Sequence, residues 1–285
     1  MRQACLKAGS ILLLAAAGGC VAPAVTGIEK DYASLVIDAD RSGKTFAQAT
    51  TFVPALDEGR AYAIQHALVS QRLKRGDRVA GFKSGLMSAR SLSDRKASRP
   101  LVGALFRAGQ ASTGAGISLC GYRRPALEMK IGFVFARAVR TRLASIESLK
   151  ARVGGVVPVV ELPDIAYADG RNYLALDMIA ANISSARFVR GGTVQVPAGD
   201  LDRLPVEITR DGAPVARGHG GESLDGQWSS LLTVVNILIE NGYTIAPGQF
   251  VLTGKIGDKV DVIPGSYRAD YGPIGAVDFS IAGCI

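Results

Sequence analysis

The chain has 285 residues, with 33 Lys or Arg against 25 Asp or Glu, for a formal net charge of +8. That length supports one large domain with a real core, or a small lobe beside a large one. The positive surplus suits anionic ligands or an anionic membrane surface; a single Trp and no basic-aromatic interleaving exclude a nucleic-acid binder, and no P-loop, dinucleotide fingerprint or zinc-type cysteine set is present.

The chain opens on an export signal over residues 1–19. Arg2 and Lys7 precede the short apolar run Ile11-Leu-Leu-Leu-Ala-Ala-Ala17, the order of a secretory leader. The run is shorter than the span of about 20 residues that a transmembrane helix needs. Ala17-Gly18-Gly19-Cys20 has the form of a lipobox, with Ala17 where Leu is usual. Lipid attachment at Cys20 would give a cell-envelope lipoprotein that meets the membrane through its anchor. Cleavage at Ala22-Pro23-Ala24 would instead release a periplasmic protein. Outside the signal and the lipid site, Cys120 and Cys284 remain. They form either one disulfide in an oxidising compartment or two buried thiols.

Residues 20–30 read as a tether of small residues. Tyr32-Ala-Ser-Leu-Val-Ile-Asp38 predicts a strand, and Asp40-Arg-Ser-Gly43 its turn. Ala61, Ile64 and Leu68 share one helical face, so residues 56–75 predict a helix that Gly76 ends. Residues 78–85 predict a strand, 87–100 a polar basic loop, and 108–121 a segment of Gly and small residues. Further strands are expected at 127–135, 156–162, 186–190, 204–210, 250–253 and 275–281. Helices are expected near 174–181 and 229–241, the latter closed by Asn241-Gly242. The pattern is α+β, with a smaller N-terminal α/β region over 31–107 and a β-rich region over 108–285. His66 on a helix and His219 in a Gly-rich stretch are given structural roles.

Five stretches in register carry a family resemblance. They are Ala61-Tyr-Ala-Ile-Gln-His-Ala-Leu-Val-Ser-Gln-Arg-Leu73 with Gly81-Phe-Lys-Ser-Gly-Leu86, then Ile131-Gly-Phe-Val-Phe135, then Asp177-Met-Ile-Ala-Ala-Asn-Ile-Ser-Ser185. Pro247-Gly-Gln-Phe-Val-Leu-Thr-Gly254 and Tyr267-Arg-Ala-Asp-Tyr-Gly-Pro-Ile-Gly-Ala-Val277 complete the set. Together they resemble the 2-keto-4-pentenoate hydratase and 4-oxalocrotonate decarboxylase family, part of the fumarylacetoacetate hydrolase superfamily. The resemblance implies that superfamily's mixed β-roll as the core. It also implies a lyase acting on a small anionic 2-keto acid, and leaves self-association into a homo-oligomer open.

In that family a Glu-x-Glu pair and a later acidic residue hold a divalent cation, Mg²⁺ or Mn²⁺, through oxygen ligands. The cation chelates the substrate's 1-carboxylate and 2-oxo group and stabilises the dienolate. Glu128 and Glu161 match the first and third ligands, and Lys130 takes the second ligand's place. Two carboxylates with an ammonium carry the same charge as three carboxylates with a dication, so metal binding is expected to be weak or lost. Lys83 matches the lysine of Gly-x-Lys-x-Gly-Leu and, with Lys130, is the candidate catalytic residue. Asp177, Ser184, Thr253, Gly254 and Lys255 match positions expected to bind substrate, although Asp177 and Ser184 can equally be helix caps. The family's Pro-Asp-Phe-Gly run is Pro100-Leu-Val-Gly103 here, and Leu101 cannot move a proton. Two functions remain open at this point. One is a hydratase/decarboxylase-like lyase with a degraded metal site. The other is an inactive descendant that binds an anionic ligand or serves as an envelope scaffold.

Overall fold

The computed structural model describes residues 27–197 and 199–284; the leader, Cys20 and most of the tether lie outside them. Helices α1 (Gly27–Ser42), α2 (Ala49–Phe52) and α3 (Glu58–Lys74) open the fold, followed by β1 (Val79–Gly85), α4 (Ala89–Asp94) and β2 (Leu101–Phe106). Then come β3 (Gln110–Ser112), β4 (Ala115–Ser118), β5 (Ala126–Phe135), α5 (Ile146–Lys150) and β6 (Val153–Leu162). The remaining elements are α6 (Ala175–Ala180), β7 (Arg187–Arg190), β8 (Pro205–Arg210), β9 (Ala213–His219), α7 (Gly226–Glu240), β10 (Phe250–Leu252), β11 (Ile256–Asp261), β12 (Gly265–Asp270) and β13 (Ala276–Ala282). No helix among the described residues is long and apolar enough to cross a membrane.

The strand expected over Tyr32–Asp38 is helix, as is the end of the expected tether from Gly27. The β-branched pair Val36-Ile37 misleads locally. Tyr32 with Val36 and Ala33 with Ile37 fall one helical turn apart and are buried, so packing against α3 overrides strand propensity. The two helices are tied by Arg60 to Glu29 at 2.8 Å and by Ser34 to Gln71. Part of the expected loop at 87–100 is the single-turn helix α4, started by a capping box of Ser88 and Ser91. Strands β2, β3, β4, β9, β11 and β12 are absent from the sequence expectation, and His219 ends β9 rather than sitting in a loop.

One sheet runs in the order β2-β1-β10-β5-β6-β7-β3, with β11 also paired to β5; a second runs β4-β13-β12-β8-β9. The first sheet curls into a half-barrel. Residues paired across strands share a face, so the register places Lys83 beside Leu252, Leu252 beside Gly132, Gly132 beside Val157, and Glu161 between Glu128 and Phe188 on one face. Val157, Val159, Phe188, Phe250 and Leu252 form a buried apolar cluster there. Strands β1 and β6 are three places apart, roughly 14 Å in a flat sheet. Contact between their side chains therefore requires this face to be concave. Gly132 permits the curl, because a Cβ there would stand 2.8 Å from Val157 Cγ1 and 3.1 Å from Leu252 Cδ2. The other face carries the main core against the helices. Gln65 of α3 is fully buried in it and donates to Val102 O at 3.0 Å and Ile179 O at 2.9 Å, while the Tyr243 hydroxyl donates to its Oε1 at 2.7 Å. The boundary expected at residue 107 falls between β2 and β3, both members of the large sheet.

Cys120 and Cys284 form a disulfide that ties the end of β4 to the end of β13 across a sequence separation of 164 residues. A cross-link closing so long a loop removes much of the unfolded chain's freedom. Replacing both cysteines by serine is therefore expected to lower the unfolding free energy by about 2–5 kcal/mol, as measured by urea denaturation under non-reducing conditions.

Candidate active site

The site is an alternating chain of charges at one end of the concave face. Glu128 on β5 lies directly opposite Glu161 on β6, a like-charge pairing that destabilises a sheet by itself. Lys130, two residues along β5, points to the same face. Its Nζ stands 3.0 Å from Glu128 Oε2 and 3.5 Å from Glu161 Oε2. Lys83 reaches over from β1 to pair with Glu161 Oε1 and donates to the Ile183 carbonyl at 3.0 Å. Lys259 of β11 completes the chain at 3.3 Å from Glu128 Oε1. Relative exposure is 0% for Glu161 and 3% for both Lys83 and Lys130; neither lysine is the solvated surface group that a lone lysine usually is.

The fields act in opposite directions on the two lysines. For Lys83 burial dominates and lowers its pKa, with the nearby Lys130 ammonium adding to the effect and Glu161 opposing it. For Lys130 burial also disfavours the charge, but the two carboxylates outweigh it and raise its pKa above the ordinary 10.5. Burial pushes Glu128 up, yet Lys130, Lys259 and Lys83 together bring it well below the usual carboxylate range.

These groups border a cavity of about 210 Å³. Lys83, Lys130 and Glu128 form its floor, Lys255, Lys259 and Glu222 its polar rim, and Met87, Ile165, Tyr173 and Met178 its apolar wall. Glu161 is not part of the wall; it lies behind the two ammonium groups. Ser184, Gly254 and Lys255 line the cavity as expected positions. Lys255 Nζ donates to the Gly257 carbonyl. Glu222 accepts from the backbone N–H groups of His219 and Gly257 at 2.9 and 2.7 Å.

Two expected substrate-binding residues do other work. Asp177 is fully buried away from the cavity, accepting from Leu174 N at 2.7 Å and Thr50 N at 2.8 Å; it caps α6 and anchors α2. The Thr253 hydroxyl donates to Gln227 Oε1 at 2.6 Å and fastens the first turn of α7. Leu101 is buried in β2. His66 Nε2 sits 2.7 Å from the Asn241 carbonyl and its ring stacks on Tyr243, a structural role.

Tyr271, Lys259, Glu222 and, within the turn at 182–184, Ile183 were not singled out from the sequence. The Tyr271 hydroxyl donates to Val159 O at 2.6 Å and accepts from Lys130 N at 3.2 Å, so it pins β5 to β6 where Lys130 projects. Its only sequence signal is its place inside the last matched stretch. Asn182, Ile183 and Ser184 all have φ near +51°, a conformation that is a clear outlier for a β-branched residue and costs roughly 1–3 kcal/mol per strained residue. The Asn182 side chain holds the turn by bonding both Ala104 N and Ala104 O, at 2.7 and 2.8 Å. A Cβ at Gly103 would stand 2.9 Å from Asn182 Oδ1 and 3.1 Å from Ile183 Cγ1, so only glycine leaves space for it. The turn presents the Ile183 carbonyl to Lys83.

The curled mixed sheet, with its half-barrel and the helices packed on its other face, places the chain in the fumarylacetoacetate hydrolase superfamily. Comparison with characterised proteins narrows this. A 2-keto-4-pentenoate hydratase of Paraburkholderia xenovorans is 30% identical over 237 residues, covering 83% of this chain and 88% of that protein. A 4-oxalocrotonate decarboxylase of a Pseudomonas species is 30% identical over 219 residues, covering 76% and 83%. The solved 4-oxalocrotonate decarboxylase of Pseudomonas putida, complexed with magnesium and adipate, superposes with a TM-score of 0.84 at 25% identity, over 89% of this chain and 97% of that one. The chain belongs to the 2-keto-4-pentenoate hydratase and 4-oxalocrotonate decarboxylase family. No family model matches the sequence.

The donor set does not fit the magnesium seen in that relative. Among the described residues no cluster of three His, Cys, Asp or Glu side chains is arranged to hold a cation. A dication between Glu128 and Glu161 would also meet the Lys130 ammonium, a repulsion that hard oxygen ligands normally spare it.

The charge chain carries a stability prediction. Because the folded-state pKa of Glu128 is depressed, its contribution is present above the unfolded carboxylate value and is lost as pH falls toward the folded one. Lys130, raised above 10.5, contributes fully below that value and less as pH climbs through its folded pKa. Lys130→Met leaves two buried carboxylates facing each other and is expected to cost about 3–5 kcal/mol at neutral pH. In urea titrations from pH 7 to pH 4 that loss should shrink, as protonation relieves the repulsion.

Proposed function

We propose that this protein is a hydratase/decarboxylase-like lyase for a small 2-keto acid, held in the cell envelope, with its divalent-cation site degraded. The observation that carries the reading is the pair of buried ammonium groups, Lys83 and Lys130, on the floor of a small cavity. Preorganised positive charge in a site that excludes water stabilises an enolate as it develops. It does this whether the enolate arises by proton transfer or by loss of carbon dioxide. The family's members named as hydratases and decarboxylases support this chemistry, and short unsaturated 2-keto acids such as 2-keto-4-pentenoate and 4-oxalocrotonate are the substrates to try. Turnover is tested by following their ultraviolet absorbance with purified protein. Lys83→Met should lower any activity by about 100-fold or more; a wild-type protein inert toward both compounds would remove the reading.

A second reading has its own support. Leu101 stands where the family places an acid for proton transfer, and it is buried in β2. An inactive descendant that only binds an anionic ligand, or serves as a scaffold, would show ligand-dependent stabilisation or none, and no turnover.

Export is part of the proposal. The leader-like first 19 residues and Cys20 argue for it. So does the Cys120–Cys284 disulfide, a cross-link typical of oxidising compartments. Cells fed labelled palmitate should incorporate it into the wild-type protein and not into the Cys20→Ala variant; label in neither would favour the soluble periplasmic form.

A further inference from the structure

We infer that the floor of this cavity is a metal-independent carboxylate site, in which the Lys83 and Lys130 ammonium groups take the ligand's anionic end directly and shut the divalent cation out. The inference rests on the proposed function only in taking the natural ligand to be a 2-keto acid.

Three features of the site carry it. The first is access. Glu161, the carboxylate that would complete any cation cage with Glu128, is fully buried and absent from the cavity wall. Its Oε1 faces Lys83 and its Oε2 faces Lys130. A cation entering the cavity finds Glu128 beside two ammonium groups and no second carboxylate on the floor, whereas an anion finds two attractive charges against that one glutamate.

The second is charge. Around the cavity the lysines at 83, 130, 255 and 259 face the glutamates at 128, 161 and 222, leaving one positive charge uncompensated. Glu222 is committed to two backbone N–H groups and Lys255 to one backbone carbonyl, so neither cancels the other by direct pairing. A dication would raise the surplus, while a monocarboxylate would neutralise it.

The third is rigidity. Lys130 is held through its own backbone by Tyr271, and Lys83 through the Ile183 carbonyl of the strained turn. The two ammonium groups are thus fixed before any ligand arrives, which reduces the ordering cost of binding. The cavity, about 210 Å³, lies below the usual range for drug-sized ligands and suits a short acid.

The test uses the full-length protein, stripped with EDTA, and two probes: 2-oxobutanoate and butanoate, the same chain without the oxo group. Calorimetric titration should show both acids binding equally well with EDTA or with excess Mg²⁺. Mn²⁺ added to the stripped protein should keep its free-ion electron paramagnetic resonance signal. Lys130→Glu should quench that signal by binding Mn²⁺, and should lose metal-free acid binding by about tenfold or more. Mn²⁺ retained by the wild-type protein, or acid bound only in the presence of metal, overturns the inference and leaves the lyase reading standing. Butanoate bound without metal while 2-oxobutanoate is refused supports the carboxylate site and removes the 2-keto acid reading. Neither acid bound under any condition overturns the carboxylate site outright. If Lys130→Glu fails to fold, the wild-type Mn²⁺ and acid titrations decide the matter alone.

Discussion

Two carboxylates set opposite each other on neighbouring strands are the constraint from which the rest of this site follows. Glu128 and Glu161 form a register pair on the concave face, where their mutual repulsion is little screened. Something positive must stand between them for the sheet to close. In the magnesium-bound decarboxylase of Pseudomonas putida a cation is present in the complex; in this chain the compensation is covalently attached, as Lys130 and Lys83. The charge balance of the pocket is therefore part of the fold, and the same groups hold the strands together and face the ligand.

The geometry that lets those lysines act is built from positions that carry no chemistry. Gly132 allows Val157 and Leu252 to close over β5, and the resulting curl brings β1 within reach of β6. Gly103 and Asn182 shelter a left-handed turn whose carbonyl fixes Lys83. Tyr271 enters from the second sheet and pins the β5–β6 ladder at Lys130. Strain stored in the turn is offset by a side-chain amide that satisfies both polar groups of Ala104, a common arrangement where a site needs one atom in one place.

Family membership accounts for the fold and for the position of the pocket, but not for what the pocket does. Within one scaffold the function follows the groups at the site, and here the cavity floor carries the ammonium groups of Lys83 and Lys130, while Leu101 is buried in β2 and has no proton to move. The disulfide between the ends of β4 and β13 is a cross-link that persists in oxidising compartments and is rare in cytosolic proteins, which is one ground of the proposed export.

Fold class, the helices around residues 58–74 and 226–240, most of the long strands, and the family were legible in the sequence. Local periodicity and short motifs suffice for these because they are properties of neighbouring residues. The resemblance also grouped Glu128, Lys130, Glu161 and Lys83, and strand spacing puts 128 and 130 on the same face. The sequence misassigned α1, where a β-branched pair concealed a helical face that only α3 made worth burying. Of the two roles left open for Asp177 the structure displays the cap, and the Thr253 hydroxyl, expected to meet substrate, is bonded to Gln227 of α7. Which oxygens of Glu161 meet which lysine, that Glu161 lies behind the cavity floor, and that Lys259, Tyr271 and Ile183 belong to the site were decided by tertiary structure alone. Each depends on the curl of the sheet bringing together strands far apart in the chain, and no local signal encodes a distance of that kind.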